Sequence, residues 1–268
     1  MPLSPLRSFA YLTQSYVCTA EHNDRLFHEF TAATWADPLL APHRRHIEDN
    51  KLGFGDAAFH TMWKLLLEES ARRFGTVRCL EIGVFKGQVI SLWALLARAL
   101  SLDVHISALS PLAGQPSSRS RLVHALRYRL DRRYRERVVN GDFYDDSDYA
   151  ATVRGLFTHF GLDFDRVELH RAYSTDPAAL ERLTDATFHI VYVDGDHTYE
   201  GSLHDFKTFG PKVMPGGWLI ADDAGARLPG TAFWKGHEAV SRAAEVLPAL
   251  GFKNVLNISH NRIFERVA

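Results

Sequence analysis

The stretch Phe188-His189-Ile190-Val191-Tyr192-Val193-Asp194-Gly195-Asp196-His197 decides how this chain is read. A short, mostly apolar run passes without a break into two carboxylates and an imidazole. Such a run, bounded by polar turn residues, is the pattern of a strand buried on both faces. Acids directly past the C-terminal end of that strand stand where open α/β sheets bind their ligands.

The same pattern recurs on both sides of this strand. Upstream, Val77–Ile82, Val104–Leu109 and residues 167–169 read as strands. Downstream, residues 218–221 form another, preceded by an expected turn at Pro215-Gly216-Gly217. Helical stretches lie between them. Residues 57–74 place Phe59, Met62, Trp63, Leu66 and Leu67 at helical spacing, with Asp56 as the N-cap. Residues 89–100 form a second helix. The tail offers strands at 254–258 and 263–267, too close together for anything but a hairpin, so the sheet should end with one antiparallel strand. The expected fold class is α/β: a doubly wound, Rossmann-like, seven-stranded, mostly parallel sheet with a C-terminal antiparallel β-hairpin. Residues 1–56 read as an N-terminal helical and loop cap, and 57–268 as the Rossmann-like domain.

A long insertion, about 111–160, separates the second and third strands. Residues 119–137 hold eight arginines, with Leu122, Leu126, Leu130 and Tyr134 four residues apart. This reads as an amphipathic helix with a basic outer face, followed by the acidic patch Asp142, Asp145, Asp146 and Asp148. The acidic neighbour and the balanced total charge argue against nucleic acid as a partner. A solvated or subunit-facing helix is expected, which admits a homo-oligomer.

The 268 residues carry 31 Lys+Arg against 32 Asp+Glu, and are 46% hydrophobic and 24% charged. That is the composition of an ordinary globular protein with a full-sized core, which excludes disordered, collagen-like and low-complexity chains. Two cysteines, Cys18 and Cys79, are too few for a disulfide framework or a cysteine-rich zinc module, and Cys79 reads as a small core residue. No secretory signal is read at the start. The longest apolar run, 90–100, is too short to span a bilayer. The expectation is a soluble cytoplasmic protein with no membrane partner.

Three motifs carry the chemistry. Leu80-Glu81-Ile82-Gly83-Val84-Phe85-Lys86-Gly87 ends one strand and opens a helix. Its glycines permit a tight turn and close approach to a ligand, and its acid suits a ligand that presents donors, such as an amino group. The spacing is Glu-x-Gly-x-x-x-Gly, not the Gly-x-Gly-x-x-Gly of dinucleotide sites, so a nucleotide-binding Rossmann oxidoreductase is the weaker alternative. A plain structural turn also satisfies this motif. The second motif is the Asp194–His197 segment, and the third is Ala221-Asp222-Asp223 one strand later. Neighbouring parallel strands share one edge, so Asp194, Asp222 and Asp223 should converge there. Three clustered carboxylates need a neutralising partner, and an all-oxygen set favours Mg²⁺, then Mn²⁺ or Ca²⁺. Helix N-capping explains any one of these acids, Asp196 especially, but explains the trio poorly. His197, three residues beyond Asp194, is placed to act as a general base near neutrality. His237 and His204 are rivals. No Gly-x-Ser-x-Gly elbow supports a serine hydrolase.

These motifs, in this order, resemble the class I S-adenosylmethionine-dependent methyltransferases, over about residues 53–268. More narrowly they resemble the metal-dependent, macrocin-type O-methyltransferases of sugars. Catechol O-methyltransferases are more distant. The resemblance implies that Glu81, Gly83, Phe85 and Gly87 wrap the methionine end of S-adenosylmethionine and that Ser174 contacts its adenine side. It likewise implies that Asp194, Asp222 and Asp223 hold Mg²⁺ and that His197 is the base. One departure stands out: the second strand ends Ala108-Leu109-Ser110-Pro111, where such enzymes carry an acid for the ribose, so only Ser110 remains to bond it. The implied acceptor is a small molecule with a sugar hydroxyl, on a glycosylated natural product, a polysaccharide or a nucleotide sugar. A catechol-like phenol is the alternative. Residues 1–60 and the 224–240 loop, with Arg227, Phe233, Trp234, Lys235 and His237, should roof the site.

Overall fold

The computed structural model describes residues 8–112, 121–132, 134–135 and 148–267. Its centre is a seven-stranded sheet in the order β3-β2-β1-β4-β5-β7-β6. The strands are β1 Val77–Ile82, β2 Val104–Leu109, β3 Glu168–His170, β4 Phe188–Val193, β5 Val213–Ala221, β6 Phe252–Ile258 and β7 Asn261–Arg266. The first five pair in parallel, while β7 runs antiparallel to both β5 and β6. The mostly parallel α/β sheet with its closing hairpin is therefore as the sequence predicts. The antiparallel strand, however, lies second from the edge, and β6 runs in the same direction as β5.

Every residue of β4 is buried, and its two faces feed two separate cores. Ile190 and Tyr192 join Trp63, Trp93 and Trp218 on one side. Val191 and Val193 join Phe206, Phe209 and Phe264 on the other. Alternation across the pleat explains both sets, because successive side chains of a strand point to opposite faces. Cys79 is fully buried in the first core, as expected.

The helices are α1 Phe9–Ser15, α2 Ala20–Ala36, α3 Leu40–Asp49, α4 Ala58–Phe74, α5 Gln88–Ala99, α6 Arg121–Leu130, α7 Tyr149–His159, α8 Pro177–Arg182, α9 Tyr199–Phe209 and α10 Glu238–Ala243. Asp56 accepts a hydrogen bond from Ala58 N at 3.0 Å, but the N-cap of α4 is Ala57, one residue beyond the expected Asp56. The hydroxyl of Thr34 on α2 donates to Ala57 O at 2.6 Å, which ties the N-terminal helices to that same start. No described helix is long and apolar enough to cross a membrane.

Two expectations need correction. Residues 213–217, which contain the expected turn, belong to β5. Gly216 adopts φ 75° there, and a Cβ on Gly217 would lie 2.7 Å from His189 O. The glycines let the strand continue through a register shift between Phe188 and Ile190, which is the work of a β-bulge. In the insertion, α6 is present, but Leu122, Leu126 and Leu130 are 83%, 58% and 73% exposed. Its apolar stripe faces away from the rest of the described chain. The remainder of the predicted 119–137 helix and the acids Asp142, Asp145 and Asp146 lie outside the described residues. Asp148 is described, and its side chain caps α7 by accepting from Ala150 N at 2.9 Å.

Candidate active site

A cleft of about 1090 Å³ opens along the C-terminal edge of β1, β2, β4 and β5. That edge is the ligand-binding crevice of open α/β sheets. The β1–α5 turn forms one wall. Glu81 is 1% exposed, its Oε2 has no hydrogen-bond partner, and burial followed by the nearby charge of Asp194 pushes its carboxyl well above the usual range. Gly83 (φ 92°) lies directly against the Asp194–Gly195 backbone, and Phe85 takes a left-handed φ of 47°. A non-glycine residue in that region is strained and persists only where its surroundings hold it. Gly87 (φ 89°) stands apart. It caps the start of α5 against Val153 and is not among the cleft-lining residues.

Ser110 and Ser174 both line the cleft. The Ser110 hydroxyl accepts from Leu112 N at 3.2 Å, so its remaining donor is what it can offer a ligand. The Ser174 carbonyl meets His204 Nε2 at 3.2 Å, which occupies His204 away from the acids.

Beyond Gly83 the carboxylates gather. Asp194 leaves β4, while Asp222 and Asp223 leave β5, joined by a hydrogen bond from Asp222 N to Val193 O at 3.1 Å. Asp223 sits at φ 53°, a second strained non-glycine residue at the cleft. Burial, then repulsion from Asp222, raises the Asp194 carboxyl well above its ordinary value and takes Asp223 to about 6. Burial also acts against the charge of Asp222, yet the adjacent His260 outweighs it and holds that carboxyl low. Asp196, by contrast, accepts from Thr198 N at 2.8 Å just before α9, while the N-cap itself is Thr198, whose hydroxyl accepts from Gly201 N.

Three histidines surround these acids. His197 Nε2 is 3.4 Å from Asp194 Oδ1 and 3.5 Å from Asp223 Oδ2. His237 Nε2 lies 3.6 Å from Asp223 Oδ2, and its ring stacks on His197 with centroids 4.9 Å apart. Its place is set by its own backbone, since His237 N donates to Asp223 O at 2.8 Å. Desolvation, then the neighbouring His197, depresses its pKa to about 4. His260 carries no motif and sequence reasoning missed it. Its Nε2 lies 3.2 Å from Asp222 Oδ1, and despite burial the two aspartates raise its pKa to about 9. Two clusters have ligand atoms within 4.8 Å of one another among the described residues: His197, Asp223 and His237, and Asp222, Asp223 and His260. Neither includes Asp194.

The roof is built by the cap and the 224–240 loop together. Asp24 on α2 accepts from Thr231 N at 2.7 Å and Ala232 N at 3.0 Å, and Asn23 donates to Pro229 O at 2.7 Å. Phe27, Phe54, Phe233, Trp234 and His237 line the cleft, whereas Arg227 and Lys235 do not. Arg227 pairs with Glu238, and Lys235 donates to Leu228 O. Among the described residues, no lysine or arginine lines the cleft.

The family model described as "Methyltransferase domain" matches residues 80–224, more than half of the chain, and the chain belongs to that family. No curated protein matches the sequence. The fold is similar to that of the O-methyltransferase NovP, at 15% identity over 92% of this chain and 99% of that one, with a TM-score of 0.59. It is also similar to an O-methyltransferase from Bacillus cereus in complex with SAH (15% identity, 90% and 100% covered, TM-score 0.52). A third similar structure is TomG from Streptomyces achromogenes, involved in tomaymycin synthesis and solved with SAM (15%, 93% and 99%, TM-score 0.51).

Proposed function

We propose that this protein is a divalent-cation-dependent O-methyltransferase that uses S-adenosylmethionine and acts on a hydroxyl of a sugar or glycosylated natural product, in the manner of the macrocin-type enzymes. The observation that carries this reading is the meeting of Glu81, Asp194, Asp222 and Asp223 along one cleft with His197 beside them. The cleft suits the cofactor. Glu81 presents an unpartnered buried oxygen that can accept from the amino group of the methionine end. Gly83 leaves the backbone bare where the chain turns, and Ser110 and Ser174 stand along the wall. The acids suit a cation, since Asp194, Asp222 and Asp223 are buried close enough to repel one another, and among the described residues no lysine or arginine lines the cleft to neutralise them. Asp194, Asp222 and Asp223 would hold that cation, with Mg²⁺ the choice for the oxygens alone and Mn²⁺ or Ca²⁺ next.

When bound, the cofactor supplies an electrophilic methyl group and the cation lowers the pKa of the acceptor hydroxyl. The chain's own residues do the rest. Phe27, Phe233 and Trp234 orient the acceptor and, with the cap, exclude water. His197, with Nε2 directed at the acid cluster, would take the proton that the acceptor hydroxyl gives up. His237, kept neutral by burial, packs on its ring and holds its orientation. Positioning of this kind supplies much of the acceleration in a displacement.

The aromatic residues of the cleft lining, Phe54 and Trp234 among them, favour a second reading in which the acceptor is a catechol-like phenol. Transfer of labelled methyl from S-adenosylmethionine to panels of glycosides and phenols, with and without excess chelator, tests the proposal. Transfer to a glycoside that stops with chelator supports it, and full transfer in chelator refutes the cation.

A further inference from the structure

His260 lines the cleft beside the acids. It occupies the tight turn between β6 and β7, and because β6 runs parallel to β5 that turn arrives at the same edge as Asp222 and Asp223. Its ring is 4% exposed. Nε2 faces Asp222 Oδ1 at 3.2 Å and Asp223 Oδ1 at 3.7 Å. The other nitrogen is held from behind: Nδ1 is 3.1 Å from Ser259 Oγ, and that hydroxyl donates to the Asp56 carboxylate. With the Ser259 proton directed at Asp56, the Ser259 oxygen accepts from Nδ1–H, which leaves Nε2 as the nitrogen that can carry a lone pair. A ligating imidazole characteristically donates its other N–H in this way, which fixes tautomer and ring orientation. Gly225 permits the approach, since a Cβ there would lie 2.9 Å from His260 Cα.

We propose that His260 Nε2 is a ligand of the cation held by Asp222 and Asp223, and that this nitrogen makes the site prefer a first-row transition ion such as Mn²⁺, Fe²⁺, Co²⁺ or Zn²⁺ over Mg²⁺. The inference rests on the cation reading given above and adds to it a residue and a metal class. Imidazole nitrogen suits the transition ions, whereas Mg²⁺ is satisfied by oxygen and water. His197 and His237 approach Asp223 at Oδ2, whereas His260 faces its Oδ1.

The test is pulsed EPR of the full chain loaded with Mn²⁺ alone, with calorimetric titrations of Mn²⁺ and Mg²⁺. One bound Mn²⁺ with ¹⁴N coupling is expected, and the coupling should vanish in His260→Gln while persisting in the His197→Gln/His237→Gln variant. His260→Gln should weaken Mn²⁺ binding by about 100-fold and Mg²⁺ binding much less, and Ser259→Ala should weaken Mn²⁺ by about tenfold, the range for an outer partner of a ligand. Coupling unchanged in His260→Gln, or equal losses for both ions, overturns the ligand assignment and leaves the cation reading standing. If His260→Gln does not fold, the double variant decides: persistent coupling supports His260, and its loss overturns it. Absence of any Mn²⁺ or Mg²⁺ binding to the wild-type chain overturns the cation reading itself, and this inference with it.

Discussion

Gly83 and Asp194 meet backbone to backbone: a Cβ on Gly83 would overlap the Asp194 carbonyl outright and lie 2.8 Å from Gly195 Cα. The turn assigned to the cofactor and the strand end carrying the first acid are therefore one packed unit. Asp194 N donates to Ile82 O at 2.9 Å across the same seam.

Gly83→Ala is expected to break that unit. The left-handed backbone alone costs about 1–3 kcal/mol for a residue with a side chain, and the clash adds to it. Denaturant unfolding should show the loss, and titration with S-adenosylhomocysteine should show binding abolished. Wild-type stability and affinity together would separate the turn from the cofactor.

His197→Ala should lower kcat by about 10²–10⁴-fold, the usual contribution of a positioned base. Its affinity for S-adenosylhomocysteine should not change, because the proposed role of His197 is toward the acceptor and not the cofactor. Unchanged kcat would pass the proton to another group, with His237 the nearest candidate.

Asp194→Asn and Asp222→Asn remove charge from the rim while keeping its shape. Each should reduce methyl transfer at least about 100-fold, in line with the loss of several kcal/mol of metal-assisted stabilisation. Circular dichroism should show a folded protein in both cases. Normal turnover in either variant would take that carboxylate out of the chemistry.

Acid should destabilise the fold through a site remote from the cleft. His43 Nδ1 and His60 Nε2 are 2.9 Å apart, and His43 Nε2 meets Ser91 Oγ at 3.0 Å. Burial lowers the pKa of His43 to about 3 and that of His60 well below its ordinary value. Both bind protons more readily when unfolded. Their stabilising effect is thus fully present above pH 6.5 and is lost as pH falls from there towards 3, by up to about 1.4 kcal/mol per pH unit for each. Unfolding free energies measured from pH 7 to pH 4 should show this slope, and His43→Gln/His60→Gln should flatten it. An equal slope in the variant would place the acid sensitivity elsewhere.

Much of this molecule is legible in its sequence because strands buried over most of their length write short, mostly apolar runs. Val77–Ile82, Val104–Leu109 and Phe188–Val193 have the same bounds in the structure as in the pattern. The start of β5 was hidden because Pro215-Gly216-Gly217 carries turn residues, and only the close approach of His189 O shows that they serve a bulge. Leu122, Leu126 and Leu130 have helical spacing, but spacing does not say what, if anything, covers a helix face. The aspartates were legible through their place at strand ends. His260 was not, because its importance depends on β7 inserting between β5 and β6, which aims the hairpin turn at Asp222. Pairing order of that kind is a long-range property that no local pattern records.

The most direct measurement is a calorimetric titration of the full chain with S-adenosylhomocysteine and, separately, with NADH. One-to-one binding of S-adenosylhomocysteine, lost in Gly83→Ala, together with no heat from NADH, is the expected result. Binding of NADH with none of S-adenosylhomocysteine would contradict a methyl-transfer site in this cleft.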